Sequence, residues 1–413
     1  MTRERPPTFP HPRHGARKAG AVRGAEHRGV ATSSWLLALI VVLCVVGVVM
    51  VGSASEVVSI ATYGSPWAIL LREVMWMGIG IVVLVVTCRV DYRRWRRLGV
   101  PLLLVSLVLL LVVLVPGIGV SAGGSSRWIG FGQFRIQPSE LAKLALAVFG
   151  ADLVTRRELR GGDHRTIIGP LLLVAAVTGG LVLLQPDMGT ALVLACITLA
   201  LLVASGVSMR PLVKVGAGLA GLAVIVGLIE PYRRARILSF LDPTAHAKGS
   251  GYQVVQSLIG LGSGHVFGLG LGSSHEKWGL LPNAHTDFIY SVIGEELGLV
   301  GAVAVLAALC AFAWFGLRAA QRAPDRFGSL LSVTLVAWIA SETFINIGAV
   351  IGLLPVTGIP LPFISFGGSS LVITLAAAGM LVNVARHEER PSGALRGPPT
   401  EQRPESALAG RRR

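Results

Sequence analysis

Apolar residues along this chain gather in long runs, and the runs are of membrane-crossing length. A spanning helix needs about 20 apolar residues, and such runs fall near 35–54, 67–87, 99–116, 139–154, 167–185, 189–206, 212–230, 288–317, 328–353 and 366–386. The pattern predicts an all-α polytopic membrane protein of ten spans. Most breaks between runs are short. The exceptions are a Gly-rich segment over 117–136 and a much longer one over 231–287, whose many glycines suit re-entrant or surface-lying pieces better than an extended domain. No internal repeat or separate soluble domain is evident.

Charge then orients the spans. Basic residues concentrate in the first thirty or so positions, in 89–97, 156–165, 210–214 and 318–326, and in the C-terminal tail, all on one side of a ten-span arrangement. That side is read as cytoplasmic, and 117–136, 231–287 and 354–365 face outward. Composition agrees with a membrane protein, at 53% hydrophobic and 14% charged residues, against about a quarter charged in soluble domains. The net charge of +15 reads as topology and not as a nucleic-acid footprint. Residues 1–34 and 387–413 are expected to be disordered basic cytoplasmic tails around a membrane domain of 35–386. The first span has no small-residue cleavage site before it and is expected to be retained. Cys44, Cys88, Cys196 and Cys310 lie in or beside apolar runs without metal-like spacing, so neither disulfide nor metal site is expected from them.

The candidate chemistry gathers on the outer side. Asp287 stands where the long outer loop enters the eighth span, with His285 two residues before it and Glu295 and Glu296 about two turns later. Partial burial there would raise a carboxylate toward a general base's range, whereas Thr286 or Asp287 could equally be a helix N-cap. In Gln137–Pro138–Ser139–Glu140–Leu141–Ala142–Lys143, Pro138 suits a first helical turn and Glu140 and Lys143 share a face; Gln137 could cap, and an ion pair inside a span faces a cavity or the bundle interior. Gln185–Pro186–Asp187–Met188–Gly189–Thr190 predicts a tight outer turn, with Asp187 as a cap for the next span. Arg233, Arg234 and Arg236 place cations on the outer face, for lipid headgroups or an anionic substrate. Gly268, Gly270 and Gly272 lack the lysine and βαβ setting of a phosphate loop, which excludes nucleotide binding. Repeated Pro and Gly in 354–370 force irregular backbone at membrane depth, where Ser365, Ser369 and Ser370 either meet sugar and phosphate or satisfy the broken helix. Glu342, inside the ninth span, is flagged as functional without an assigned role.

From about Trp35 to Arg386 these motifs resemble the SEDS family (shape, elongation, division and sporulation). The resemblance rests on Lys277–Trp278–Gly279–Leu280–Leu281–Pro282–Asn283–Ala284–His285–Thr286–Asp287, on Val292–Ile293–Gly294–Glu295–Glu296, on Arg127–Trp128–Ile129–Gly130 with Gln137–Lys143, and on Leu354–Ser370. Ala284–His285–Thr286–Asp287 looks more like the division branch than the elongation branch. Asn283 departs from the pattern, since many members carry Glu there. The resemblance implies polymerisation of lipid II into β-1,4 glycan strands, with Asp287 as the required acid. It further implies Arg127, Glu140, Lys143, His285, Arg233 and Ser369 as substrate-binding candidates. Joining an α-linked pyrophosphate donor to a β bond inverts the anomeric centre, which needs one base and a stabilised leaving group; Lys143, Arg127 or a bound divalent cation, Mg or Mn, would offset the pyrophosphate charge. The implied partners are a class B penicillin-binding protein and other division-machinery proteins, with no nucleic acid. The rival classes are a lipid flippase and a non-catalytic scaffold.

Overall fold

The computed structural model describes residues 15–122, 125–131, 134–161, 164–229 and 251–387, with isolated positions between 234 and 249. Each of the ten apolar runs is occupied by a helix: α1 (Gly15–Tyr63), α2 (Ala68–Arg89), α3 (Tyr92–Val113), α4 (Pro138–Leu159), α5 (His164–Leu184), α6 (Met188–Ala204), α7 (Met209–Ile229), and, after a short α8 (Tyr252–Ser263) in the outer loop, α9 (Ile289–Arg322), α10 (Arg326–Val350) and α11 (Ser369–His387). Eight of these are long and apolar enough to cross a membrane. The other two are α6, of 17 residues, and α4, which buries Glu140, Lys143 and Asp152. Where the sequence placed a tail up to residue 34, α1 is already helical from Gly15, and its span-forming part is Thr32–Tyr63. Residues 1–14 and the tail from 388 onward lie outside the described residues.

The bundle centre is α4, α10 and α11, with α11 packed on α2, α3 on α4, and α9 on both α1 and α10. Val, Leu and Ile on the remaining faces stay exposed, as lipid-facing positions do. The basic side is tied by ion pairs: Arg96 and Arg156 share Asp152 at 2.6 and 2.7 Å, and Arg326 meets Glu158 at 2.7 Å. The outer Gly-rich segment is not helical. It forms a three-stranded antiparallel sheet, β1 (Gly119–Ala122), β2 (Ser125–Phe131) and β3 (Phe134–Ile136), in the order β1-β2-β3. Phe134 sets this sheet edge-on against Trp76 of α2, with ring centroids 5.8 Å apart.

The eighth span is not one continuous rod. Its 34 residues would extend about 51 Å at the helical rise, well beyond a hydrocarbon core of about 30 Å. At Gly298 the backbone turns to φ +70°, ψ −170°, which frees carbonyls before the break and amides after it. The outer loop fills them: Leu269 and Gly270 donate to the carbonyls of Glu295 and Glu296 at 3.0 Å each, and Leu299 and Val300 donate to those of His265 and Val266 at 3.0 and 3.1 Å. This satisfies a broken helix at the edge of the membrane, where unpaired backbone groups are costly. The close approach needs glycine, because a Cβ on Gly268, at φ +80°, would lie 2.1 Å from the Glu296 carbonyl oxygen. Gly268→Ala is therefore expected to cost at least about 2 kcal/mol, read as a lower unfolding temperature in detergent.

Candidate active site

Asp287 stands one residue before the N-cap position of α9, which is Phe288. A tight turn precedes Asp287, in which the Asn283 carbonyl accepts from the amides of Thr286 and Phe288 at 3.1 and 3.3 Å. Asn283 holds φ +60°, a left-handed conformation that Asn tolerates better than most residues, so its departure from Glu suits the local backbone. The half-buried Asp287 carboxylate packs beside Gly358, where an added Cβ would come 3.6 Å from Oδ2.

The broken segment between α10 and α11 closes over this turn, seated on glycines of two spans. A Cβ on Gly47 of α1 would meet the Phe363 carbonyl at 2.7 Å, and one on Gly189 of α6 would meet Ile359 at 2.8 Å. From this seat the segment captures two carbonyls, His285 O accepting from the Phe366 amide at 3.1 Å and Thr286 O from Ser365 Oγ at 2.6 Å, and Asn346 of α10 captures the next, its Nδ2 donating to Asp287 O at 2.7 Å. His285 tilts against Phe366 with its Nδ1 buried and unpartnered. Burial pushes its imidazole down to about 4, so it is neutral at physiological pH and carries no charge for an anion.

Beneath the segment lies the buried ionic cluster. Lys143 pairs with Glu140 at 2.8 Å and with Glu342 of α10, and its Nζ sits 5.1 Å from the Trp338 ring. Ser370 Oγ donates to Glu140 at 3.0 Å. Glu342, Ser370, Pro360, Ser365 and Gly367 are among the residues that line a small recess beside the cluster. The expected Glu140–Lys143 pair is present, but Lys143 is enclosed by two carboxylates and is not open to a ligand in this state.

Above the cluster, Asp187 caps α6, accepting from the Thr190 amide at 3.1 Å. Arg127 lies beside it, donating to the Pro186 carbonyl, with Nη1 3.8 Å from Asp187 Oδ1 and a buried Nε without a partner. Gln137 occupies the N-cap position of α4 without capping it by its side chain; instead its Nε2 donates to Ser139 and to Asp187 at 2.9 and 3.2 Å. Ser369 accepts from the Gln137 amide at 3.1 Å. All three candidate serines are therefore engaged inside the fold. Arg233 lies outside the described residues, and Arg234 is exposed.

Glu295 and Glu296 point away from Asp287. They hold the loop around 273–276: Glu295 accepts from the His275 amide at 2.8 Å and from Ser274 Oγ, and Glu296 accepts from Ser53 of α1 at 2.6 Å. Next to them Glu276 is buried with Oε2 unpartnered. Burial, reinforced by Glu295, pushes its carboxyl up to about 7. A carboxyl raised in the folded state leaves stability intact below the unfolded value near 4.5 and loses it as pH rises through about 7. Glu276→Gln, which cannot ionise, is expected to be more stable than the parent at pH 8, by on the order of 2 kcal/mol, and equal to it near pH 4 in a thermal melt.

Among the described residues no three His, Cys, Asp or Glu side chains converge as a metal-binding group. Sequence reasoning named Asn346 only within a motif and missed what it does; its one signal was a carboxamide inside a spanning helix.

Comparison with known proteins identifies the family and the fold. The family described as cell cycle proteins, which unites FtsW, RodA and SpoVE, matches residues 34–390. The probable peptidoglycan glycosyltransferase FtsW of Mycobacterium tuberculosis is 42% identical over 361 residues, covering 87% of this chain and 69% of that protein. Stage V sporulation protein E of Bacillus subtilis is 39% identical over 360 residues, covering 86% and 98%. Among solved structures, a chain from a peptidoglycan synthase complex that coordinates polymerization and crosslinking superposes with a TM-score of 0.71 at 29% identity, covering 86% and 98%. The rod shape determining protein RodA of Thermus thermophilus gives 0.64 at 29%, covering 85% and 95%.

Proposed function

The chain belongs to the SEDS family, the cell cycle proteins that unite FtsW, RodA and SpoVE, and on that footing we propose that it is a peptidoglycan glycosyltransferase that polymerises lipid II at the outer face of the cytoplasmic membrane during division. The observation that carries the reading is the Asp287 turn, which sets a half-buried carboxylate at the start of α9 and has three successive backbone carbonyls fastened by Phe366, Ser365 and Asn346. Asp287 takes the proton from the acceptor's 4-hydroxyl as that oxygen attacks the donor's anomeric carbon from the face opposite the pyrophosphate. Undecaprenyl pyrophosphate leaves and the centre inverts.

The leaving group's charge falls to cations of the chain. Arg127, with a guanidinium nitrogen unpartnered at the outer ends of α4 and α6, is the described candidate. Lys143 would serve only by exchanging Glu342 for phosphate. The division branch is favoured by relatives named FtsW at about 40% identity. The likeness to a chain of a peptidoglycan synthase complex supports a class B penicillin-binding protein as partner, and the basic residues on one side of the spans support cytoplasmic termini.

Purified protein, alone and with that partner, should convert labelled lipid II to polymer. Transfer of lipid II across a vesicle bilayer without any new glycosidic bond would replace this reading with a flippase. Neither polymer nor transfer from the folded protein, even with its partner, would leave a scaffold.

A further inference from the structure

Two polar side chains, Asn346 and Ser365, each make two hydrogen bonds that involve the Asp287 turn and the broken segment. Asn346, 2% exposed on α10, donates through the same Nδ2 to Asp287 O at 2.7 Å and to Ile359 O at 2.8 Å. Ser365 donates to Thr286 O at 2.6 Å while accepting from the Leu361 amide at 2.8 Å. Each therefore ties the turn carrying the acid to the broken segment. The segment is strained where it does this: Phe363, buried and stacked edge-on against Phe312 at 5.2 Å, is held at φ +66°, a conformation that costs a bulky residue on the order of 1–3 kcal/mol and persists only where surroundings impose it.

We propose that Asn346 and Ser365 are positioning residues of the transferase reaction. They hold the carbonyls of residues 286 and 287, and with the Phe366 amide that of 285, so that the Asp287 carboxylate meets the acceptor hydroxyl in one orientation. The inference rests on Asp287 being the base. General-base transfer requires heavy atoms within about 2.6–3.2 Å, and a displacement of about 1 Å costs on the order of 10²-fold in rate. Neither side chain needs to touch substrate for this. Removing Ser365 Oγ releases Thr286 O and the Leu361 amide together, which loosens the segment and the turn at once.

The test measures lipid II polymerisation by the full chain with its transpeptidase partner for Ser365→Ala, Ser365→Thr and Asn346→Ala, together with amide hydrogen exchange over 283–290 and 359–367. Ser365→Ala is expected to lose about 10²-fold in kcat with KM for lipid II within about threefold, Ser365→Thr to recover most of it, and exchange at Leu361 and Phe366 to quicken in the Ala variants. A kcat within twofold of the parent for Ser365→Ala, or a loss confined to KM, overturns the proposal. So does a kcat loss that Thr fails to recover. Should Asn346→Ala not fold, the Ser365 pair decides alone. Asp287→Asn, assayed in parallel, separates the two ideas: full activity there removes the base assignment, whereas exchange at Leu361 and Phe366 still reports whether the ties exist.

Discussion

Asp287→Asn is expected to lose on the order of 10²–10⁴-fold in polymerisation rate, the contribution of a positioned general base, with little change in the unfolding temperature. Both halves follow from the same geometry. The carboxamide is close to isosteric, so packing beside Gly358 is retained, and the N-cap position of α9 is Phe288, which the substitution leaves in place. The ties to the turn all reach backbone carbonyls, which the substitution leaves in place. What disappears is the capacity to accept a proton. Steady-state polymerisation beside a detergent melt checks the pair of outcomes; near-parental polymer from a well-folded Asp287→Asn would sink the assignment.

Lys143→Met is expected to be the most damaging single change to stability. It leaves Glu140 and Glu342, both about 2% exposed, facing each other's charge without a cation, and breaking a buried pair in this way costs about 3–5 kcal/mol. Replacing all three members, as Lys143→Met with Glu140→Gln and Glu342→Gln, removes the uncompensated charge and is expected to restore most of that loss. Melting temperatures of the single and triple variants read the structural part. Polymerisation by the restored triple variant reads the functional one, since full activity there would show that Lys143 serves packing alone.

The spans were legible because a bilayer demands long apolar runs, and ten such runs are written in the chain. The Asp187 cap was legible because capping is a local event, decided by an acid three residues before the amide it accepts from. Other features lay beyond the reach of local pattern. Lys143 and Glu342, 199 residues apart, could each be flagged as a charge within a span but not paired. The break at Gly298 is hidden because apolar residues continue on both sides of it, and the amides that make it tolerable come from an earlier loop. The sheet over 119–136 has no alternation to announce it, and it replaced an irregular outer segment. Asn346 and Ser365 gain their meaning only when α10, the broken segment and the Asp287 turn meet.

The break at Gly298 also fixes an order of assembly. The loop that supplies the missing partners, His265 to Gly270, precedes α9 in the chain, so it has already been synthesised when Gly298 is added. The 24 residues from Leu299 to Arg322 suffice to cross the bilayer, whereas the carbonyls of Glu295 and Glu296 have no acceptable environment until the loop docks. Insertion of this span and closure of the outer loop are thus a single event, and a chain lengthened or cut between residues 270 and 295 would fail during biogenesis before any question of catalysis arose.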